Sequence, residues 1–248
     1  ASPYRTSGYG WYYRPLDLIN SSWPMAGRTK QRQGWYTNGA PLTVAGILWT
    51  NASVWNAASL WGSGIALGSS ATDGERIFAP VNPVAANGNA GLLALDPATG
   101  TSIWKTVLNG ATAGVVMNGT PAVGETMVYI AETLDSGLRG VYGIDRVTGQ
   151  IVWSNAVDNM NAAAFLVHNG KVYWDTDWNV AGVWCADALT GQILWSNRFS
   201  AGNWGTSGMP LSPDGNTIYA HGDNARIQAI DANNGATLWT DGPYEDGQ

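Results

Sequence analysis

Thiols are almost absent from these 248 residues. A single cysteine, Cys185, excludes an intrachain disulfide, a thiolate zinc site and a CxxC redox pair. Histidine is nearly as scarce: His168 and His221 match no metal-ligand spacing, and each falls in a strand-like stretch. Charge is thin too, at 12% of residues, about half the usual share. With 12 Lys and Arg against 18 Asp and Glu, the net charge is −6 and the pI is near 4.7, which argues against a nucleic-acid or anionic-lipid partner. No run of about eighteen apolar residues is present, so no membrane-spanning helix is expected. The chain opens Ala1-Ser2-Pro3 with neither Met nor an apolar leader core, so either a leader has been removed or the start is artificial.

What is abundant points the other way. Hydrophobic residues make up 45% and glycine supplies 32 positions, a composition of buried strands and tight turns. There are 14 Trp and 10 Tyr against only 3 Phe. A core needs bulk but not indole N–H groups, so the excess implies a repeated structural slot or docking surfaces. Three N-x-[ST] triplets, at Asn20, Asn51 and Asn118, are candidate glycosylation sites. With the low charge and few thiols they lead us to expect a secreted, extracellular protein.

A repeat organises the chain. Leu93-Ala94-Leu95-Asp96-Pro97-Ala98-Thr99-Gly100, ending at Trp104, recurs around Asp145-Gly149-Trp153, Asp187-Gly191-Trp195 and Asp231-Gly235-Trp239. Each Asp precedes its Gly by four residues and its Trp by eight, and the four Trp are separated by 49, 42 and 44 residues. That period suits four-stranded blades. A strand ends at Asp, whose carboxylate caps a turn; Gly takes the positive-φ position; the next strand carries Trp toward the neighbouring module. Burying about 150–250 Å² per indole stabilises by roughly 4–6 kcal/mol at most. Two further strands are expected upstream of each repeat, among them Gly64–Leu67 and Gly208–Leu211. No helical periodicity competes.

The pattern apolar-x-apolar-Asp-x-x-Thr-Gly-x-apolar-x-Trp resembles the PQQ-type β-propeller repeat over residues 58–241. Trp23-Pro24-Met25-Ala26-Gly27-Arg28 is similar to the entry segment of polyvinyl-alcohol-dehydrogenase-like members. The resemblance implies an all-β propeller of about four four-stranded blades, at 58–108, 109–157, 158–199 and 200–241, within a unit spanning 44–248. The dehydrogenases of this family hold a quinone beside a disulfide of two adjacent cysteines, with calcium nearby. Cys185 is flanked by Trp184 and Ala186, so the resemblance carries the fold and not the catalysis. No catalytic residue, cofactor or metal ligand is expected. Asp175-Thr176-Asp177 and Asp214-Gly215-Asn216 offer oxygens but complete no calcium-loop pattern.

Gly46-Ile47-Leu48-Trp49-Thr50 reads as the last strand of a blade whose other strands the repeats do not supply. Either the four blades close with this strand as padding, or the chain is part of a longer propeller, or a neighbouring copy completes it. We expect the last two rather than a self-sufficient ring. Residues 1–43 form an aromatic arm that also holds five of the basic residues. Together with Trp49, its Trp11, Trp23, Trp35 and Tyr36 are the candidate interaction residues. The expected function is a non-catalytic scaffold or structural subunit that self-associates or binds another protein chain. The alternatives are a fragment or degenerate homologue of a quinone-dependent dehydrogenase, or a carbohydrate-binding propeller using Trp55, Trp61, Trp174, Trp178 and Trp204.

Overall fold

The structure, a computed structural model, describes residues 4–5, 11–12, 70–81, 91–108, 115–116, 120–134, 138–158, 164–176, 182–199, 209–222 and 226–241. These residues are all-β, in short antiparallel strands. A two-residue ladder joins β1 (Tyr4–Arg5) to β2 (Trp11–Tyr12). Four sheets follow in chain order; the first, third and fourth are meanders in which consecutive strands are neighbours, and in the second the two short opening strands both pair with the third. The first holds β3 (Ala71–Thr72), β4 (Ile77–Val81), β5 (Gly91–Leu95) and β6 (Ser102–Val107). The second holds β7 (Val115–Val116), β8 (Ala122–Val123), β9 (Met127–Leu134), β10 (Leu138–Asp145) and β11 (Ile151–Asp158). The third is β12 (Phe165–His168), β13 (Lys171–Thr176), β14 (Gly182–Asp187) and β15 (Ile193–Arg198). The fourth is β16 (Thr217–Gly222), β17 (Arg226–Asp231) and β18 (Thr237–Asp241).

Two departures from four even strands each lie beside a proline. In the second sheet β7 and β8 lie end to end along the long β9, with Pro121 just before β8. In the fourth, the strand expected at Gly208–Leu211 is reduced to a bridge between Leu211 and Ile218, backed by the Tyr219 N–H on the Pro210 carbonyl at 3.0 Å. Pro210 has no N–H to extend that ladder. Gly64–Leu67 and Gly46–Thr50 lie outside the described residues.

The first strands of neighbouring sheets approach one another, β3 with β8 and β8 with β12, and so mark an inner edge. The last strands lie outermost and face solvent along much of their length, that of the fourth sheet throughout. The core fills the spaces between sheets. One cluster, including Phe78, Leu92, Ile130 and Tyr142, lies between the first and second sheets. A larger one, including Tyr129, Trp174, Val183 and Ile218, runs through the second, third and fourth. Middle strands packed on both faces are therefore apolar on both, as β5 shows with five buried residues in a row.

Candidate interaction site

The repeat's Asp, Gly and Trp meet between sheets. After each third strand the Asp carboxylate caps a tight turn. Asp145 Oδ1 accepts the N–H groups of Val147 and Thr148, at 3.0 and 2.7 Å, and the Thr148 hydroxyl at 2.9 Å. Asp187 does the same with Leu189 and Thr190, and Asp96 with Ala98 and Thr99. At Asp231 the Asn233 N–H and the Asn234 amide take those places. These bonds to the charged form, the Thr backbone N–H foremost, hold Asp96, Asp145 and Asp187 below the usual carboxylate range. Four residues on, Gly100, Gly149, Gly191 and Gly235 sit at φ of 70° to 77°, where a side chain is strained. Beyond the turn a bulge re-registers the last two strands, at Ala94/Leu95, Gly143/Ile144, Cys185/Ala186 and Ala229/Ile230.

Each Trp belongs to a row of three side chains across its own sheet. Phe78, Ala94 and Trp104 are directly paired across β4, β5 and β6. The equivalents are Tyr129, Gly143 and Trp153; Tyr173, Cys185 and Trp195; and Tyr219, Ala229 and Trp239. The small central residue lets the flanking rings lean together, with centroids 5.8–6.1 Å apart and planes tilted 35–51°. This accounts for the lone cysteine: Cys185 fills the small slot beneath two rings. It is fully buried, and burial pushes its thiol up to about 12.

The ring pair of one sheet then clasps the turn of the next. Trp104 packs on Gly149, Trp153 on Gly191 and Trp195 on Gly235, so closely that a Cβ on those glycines would come within 2.7, 2.5 and 2.5 Å of the indole. The Nε1–H of Trp104 donates to the Arg146 carbonyl at 3.2 Å, and that of Trp153 to the Ala188 carbonyl at 3.1 Å. Ala188 also accepts the Tyr129 hydroxyl at 3.1 Å, and Ala232 accepts that of Tyr173 at 3.0 Å. Burial pushes the ionisation of both phenols to well above the ordinary tyrosine range, so they stay protonated donors. Two residues past each Trp, Asn155 and Asn197 donate to the Gly191 and Gly235 carbonyls at 2.7 and 2.8 Å, as Thr106 does to Gly149. Arg146 adds an ion pair back to Asp73 of the first sheet at 3.6 Å.

The remaining sequence candidates fall as follows. Trp11 lies in β2; Trp23, Trp35, Tyr36, Trp49, Asn20, Asn51 and Asn118 lie outside the described residues. Trp174, expected as an exposed sugar platform, is instead fully buried and stacks on Trp184 at 6.5 Å, because it sits on a middle strand enclosed on both faces. Trp55, Trp61, Trp178 and Trp204 are outside the described residues. Asp175 is buried and accepts the Ala164 N–H at 2.8 Å, and Asp214 caps its own turn through Ser212 and Asn216, so both serve the backbone. Among the described residues no three His, Cys, Asp or Glu side chains gather as a metal site. Sequence reasoning missed the Phe/Tyr and small-residue slots of the row.

Comparison places this geometry among known folds. The chain matches the family PQQ_2, described as outer membrane protein assembly factor BamB, over residues 46–173 and 88–246. No curated protein sequence matches it. Among solved structures it is similar to the quinohemoprotein alcohol dehydrogenase ADHIIG of Pseudomonas putida HK5, with TM-score 0.65 and 19% identity, covering 89% of this chain and 40% of that one. The quinohemoprotein alcohol dehydrogenase of Comamonas testosteroni gives 0.56 at 16% identity, over 70% of this chain and 34% of that one. A europium-containing methanol dehydrogenase gives 0.55 at 16%, over 69% and 40%. The chain thus spans between a third and two fifths of these structures, and the likeness is one of fold.

Proposed function

The chain belongs to the PQQ-like propeller-repeat family whose description is outer membrane protein assembly factor BamB, and from that premise we propose that it is a non-catalytic propeller scaffold acting through protein–protein contacts outside the cytoplasm. One observation carries the reading. On the outermost strand of every sheet, the residue before the repeat Trp is an exposed aliphatic: Ile103, Val152, Leu194 and Leu238, at 47, 52, 45 and 53%. Among the described residues these outer strands pair on one side only, and outer strands bearing a regular apolar row are surfaces that a partner strand or groove would cover. The low charge and the Asn20, Asn51 and Asn118 triplets support a secreted setting.

A quinone-dependent dehydrogenase is the second reading, favoured by the fold likeness to quinohemoprotein alcohol dehydrogenases. The residues present do not fit a quinone held beside a disulfide of adjacent cysteines, because Cys185 is the sole cysteine and is enclosed beneath Trp195. Two experiments decide. Purified chain supplied with the quinone and calcium or a lanthanide should neither reduce a redox dye nor retain the quinone absorbance; alcohol-dependent dye reduction overturns the scaffold reading. Val152→Glu with Leu194→Glu should abolish association in sedimentation while leaving the melting transition in place.

A further inference from the structure

Asn169 is the one non-glycine residue with a positive φ among the described residues, at 48°. With Gly170, at 69°, it makes the two-residue loop between His168 and Lys171, the paired ends of β12 and β13. Two positive φ values in succession define a type I′ hairpin turn. Both residues are exposed, and a Cβ on Gly170 would meet nothing within 4 Å. We propose that Asn169 is a site of spontaneous backbone modification: the Gly170 nitrogen attacks the Asn169 side-chain amide, and the resulting isoaspartate loosens the turn from Ala188.

Asparagine is among the heat-labile residues, and the atoms balance with water alone. The Gly170 nitrogen gives up its proton and bonds to Asn169 Cγ. The Cγ–Nδ2 bond breaks, ammonia leaves and a succinimide closes. Water then opens the ring, at the main-chain carbonyl to give isoaspartate or at Cγ to give aspartate. Attack needs a ψ that swings the glycine nitrogen over Cβ. Flipping the single peptide between Asn169 and Gly170 turns type I′ into type II′, where the first residue's ψ is about −120°, the value required. Both types close the same hairpin, so His168 and Lys171 stay paired.

The same dipeptide in the fourth repeat turn is locked. The Gly235 N–H donates to the Asp231 carbonyl at 2.9 Å, and Asn234 Oδ1 accepts the Ala236 N–H at 2.8 Å. Asn234 Nδ2 donates to Asp231 Oδ2, and Gly235 is buried under the Trp195 indole. Among the described residues the Asn169 side chain makes no hydrogen bond and the Gly170 N–H has no acceptor. Only the Gly170 carbonyl is held, by the Ala188 N–H at 2.8 Å. The Asn-Gly pairs at Asn38, Asn87, Asn109 and Asn118 lie outside the described residues.

Peptide mapping with electron-transfer fragmentation, which tells isoaspartate from aspartate, follows the full chain through warm incubation in mildly alkaline buffer. In the native chain, conversion at Asn169 should run about tenfold or more ahead of Asn234, whose turn must first open locally. In denaturant the two rates should converge. Equal native rates, an undiminished lead in denaturant, or aspartate without isoaspartate at Asn169 overturns the proposal. A second measurement reads the consequence. Isoaspartate lengthens the loop by one backbone carbon, whereas Asn169→Asp adds the same charge without it. The Ala188 amide should therefore exchange hydrogen faster in the aged chain than in Asn169→Asp, and equal exchange in the two overturns the loosening at Ala188.

Discussion

The Trp153 indole lies over Gly191 of the next sheet and donates its Nε1–H to Ala188, three residues earlier in the same turn. One side chain thus reads both a missing Cβ and a main-chain carbonyl, which fixes the spacing of the neighbouring turn as well as its position. Gly191→Ala should be costly twice over. Its φ of 73° is left-handed, and its Cβ would come within 2.5 Å of the ring. Strain and overpacking together predict a loss of about 2–4 kcal/mol, read as a lower denaturant midpoint at unchanged slope.

Truncating the rings should separate a covered indole from the exposed one. Trp153→Ala removes a buried ring and orphans the Ala188 carbonyl of one donor, for a loss of about 3–5 kcal/mol. Trp239→Ala removes a ring that is 48% exposed and should cost about 1 kcal/mol or less. Thermal melts of the two variants side by side check this. Equal losses would mean that the indoles stabilise their own sheet and not the contact between sheets.

The Asp, Gly and Trp of the repeat were legible because one tight turn and half a strand hold them at constant spacing. The partner ring was not. Phe78, Tyr129, Tyr173 and Tyr219 lie 18, 16, 14 and 12 residues before the repeat Asp, since the connection between second and third strands varies in length. No fixed offset finds them, although the structure puts all four at the same place in the row. The small slot is hidden for another reason: Ala94, Gly143, Cys185 and Ala229 share only size, and a pattern search sees three different letters. Knowing that the ring leans across the strand between would have revealed it. The exposure of Trp239 was invisible because its repeat is identical in pattern to the three that are covered.

Acid should loosen the turns. Asp145 and Asp187 have folded values held below their unfolded ones, chiefly by the N–H groups of Thr148 and Thr190. The stability they contribute is complete above the unfolded value, near pH 4, and is lost as pH falls through the folded value. Both residues are partly exposed, so solvent screening keeps each contribution to about 1 kcal/mol or less. The melting temperature should therefore drop below about pH 4, and Asp145→Asn with Asp187→Asn should flatten that drop while lowering the plateau at neutral pH. An unchanged acid limb in the double variant would place the pH sensitivity elsewhere.

Cys185 offers a reporter of the same architecture. The thiol is fully buried between Tyr173 and Trp195 on adjacent strands, and its ionisation is pushed up to about 12, mainly by burial. The thiolate is the reactive form, so a neutral disulfide reagent at pH 8 should leave the native chain unlabelled and react once denaturant opens the sheet. Cys185→Ala preserves the small slot, as Ala94 and Ala229 do in their rows, and should cost about 1 kcal/mol. Cys185→Leu forces branched bulk under two rings whose centroids are 5.8 Å apart and should cost more, about 1–3 kcal/mol from overpacking alone. Separating those rings also lifts Tyr173 and Trp195 from the turn at Ala232 and Gly235, so the leucine variant should expose the fourth sheet to proteolysis before the rest of the chain. A leucine variant as stable as the alanine one would show that the central position is not a size filter, and the aromatic row would lose its explanation.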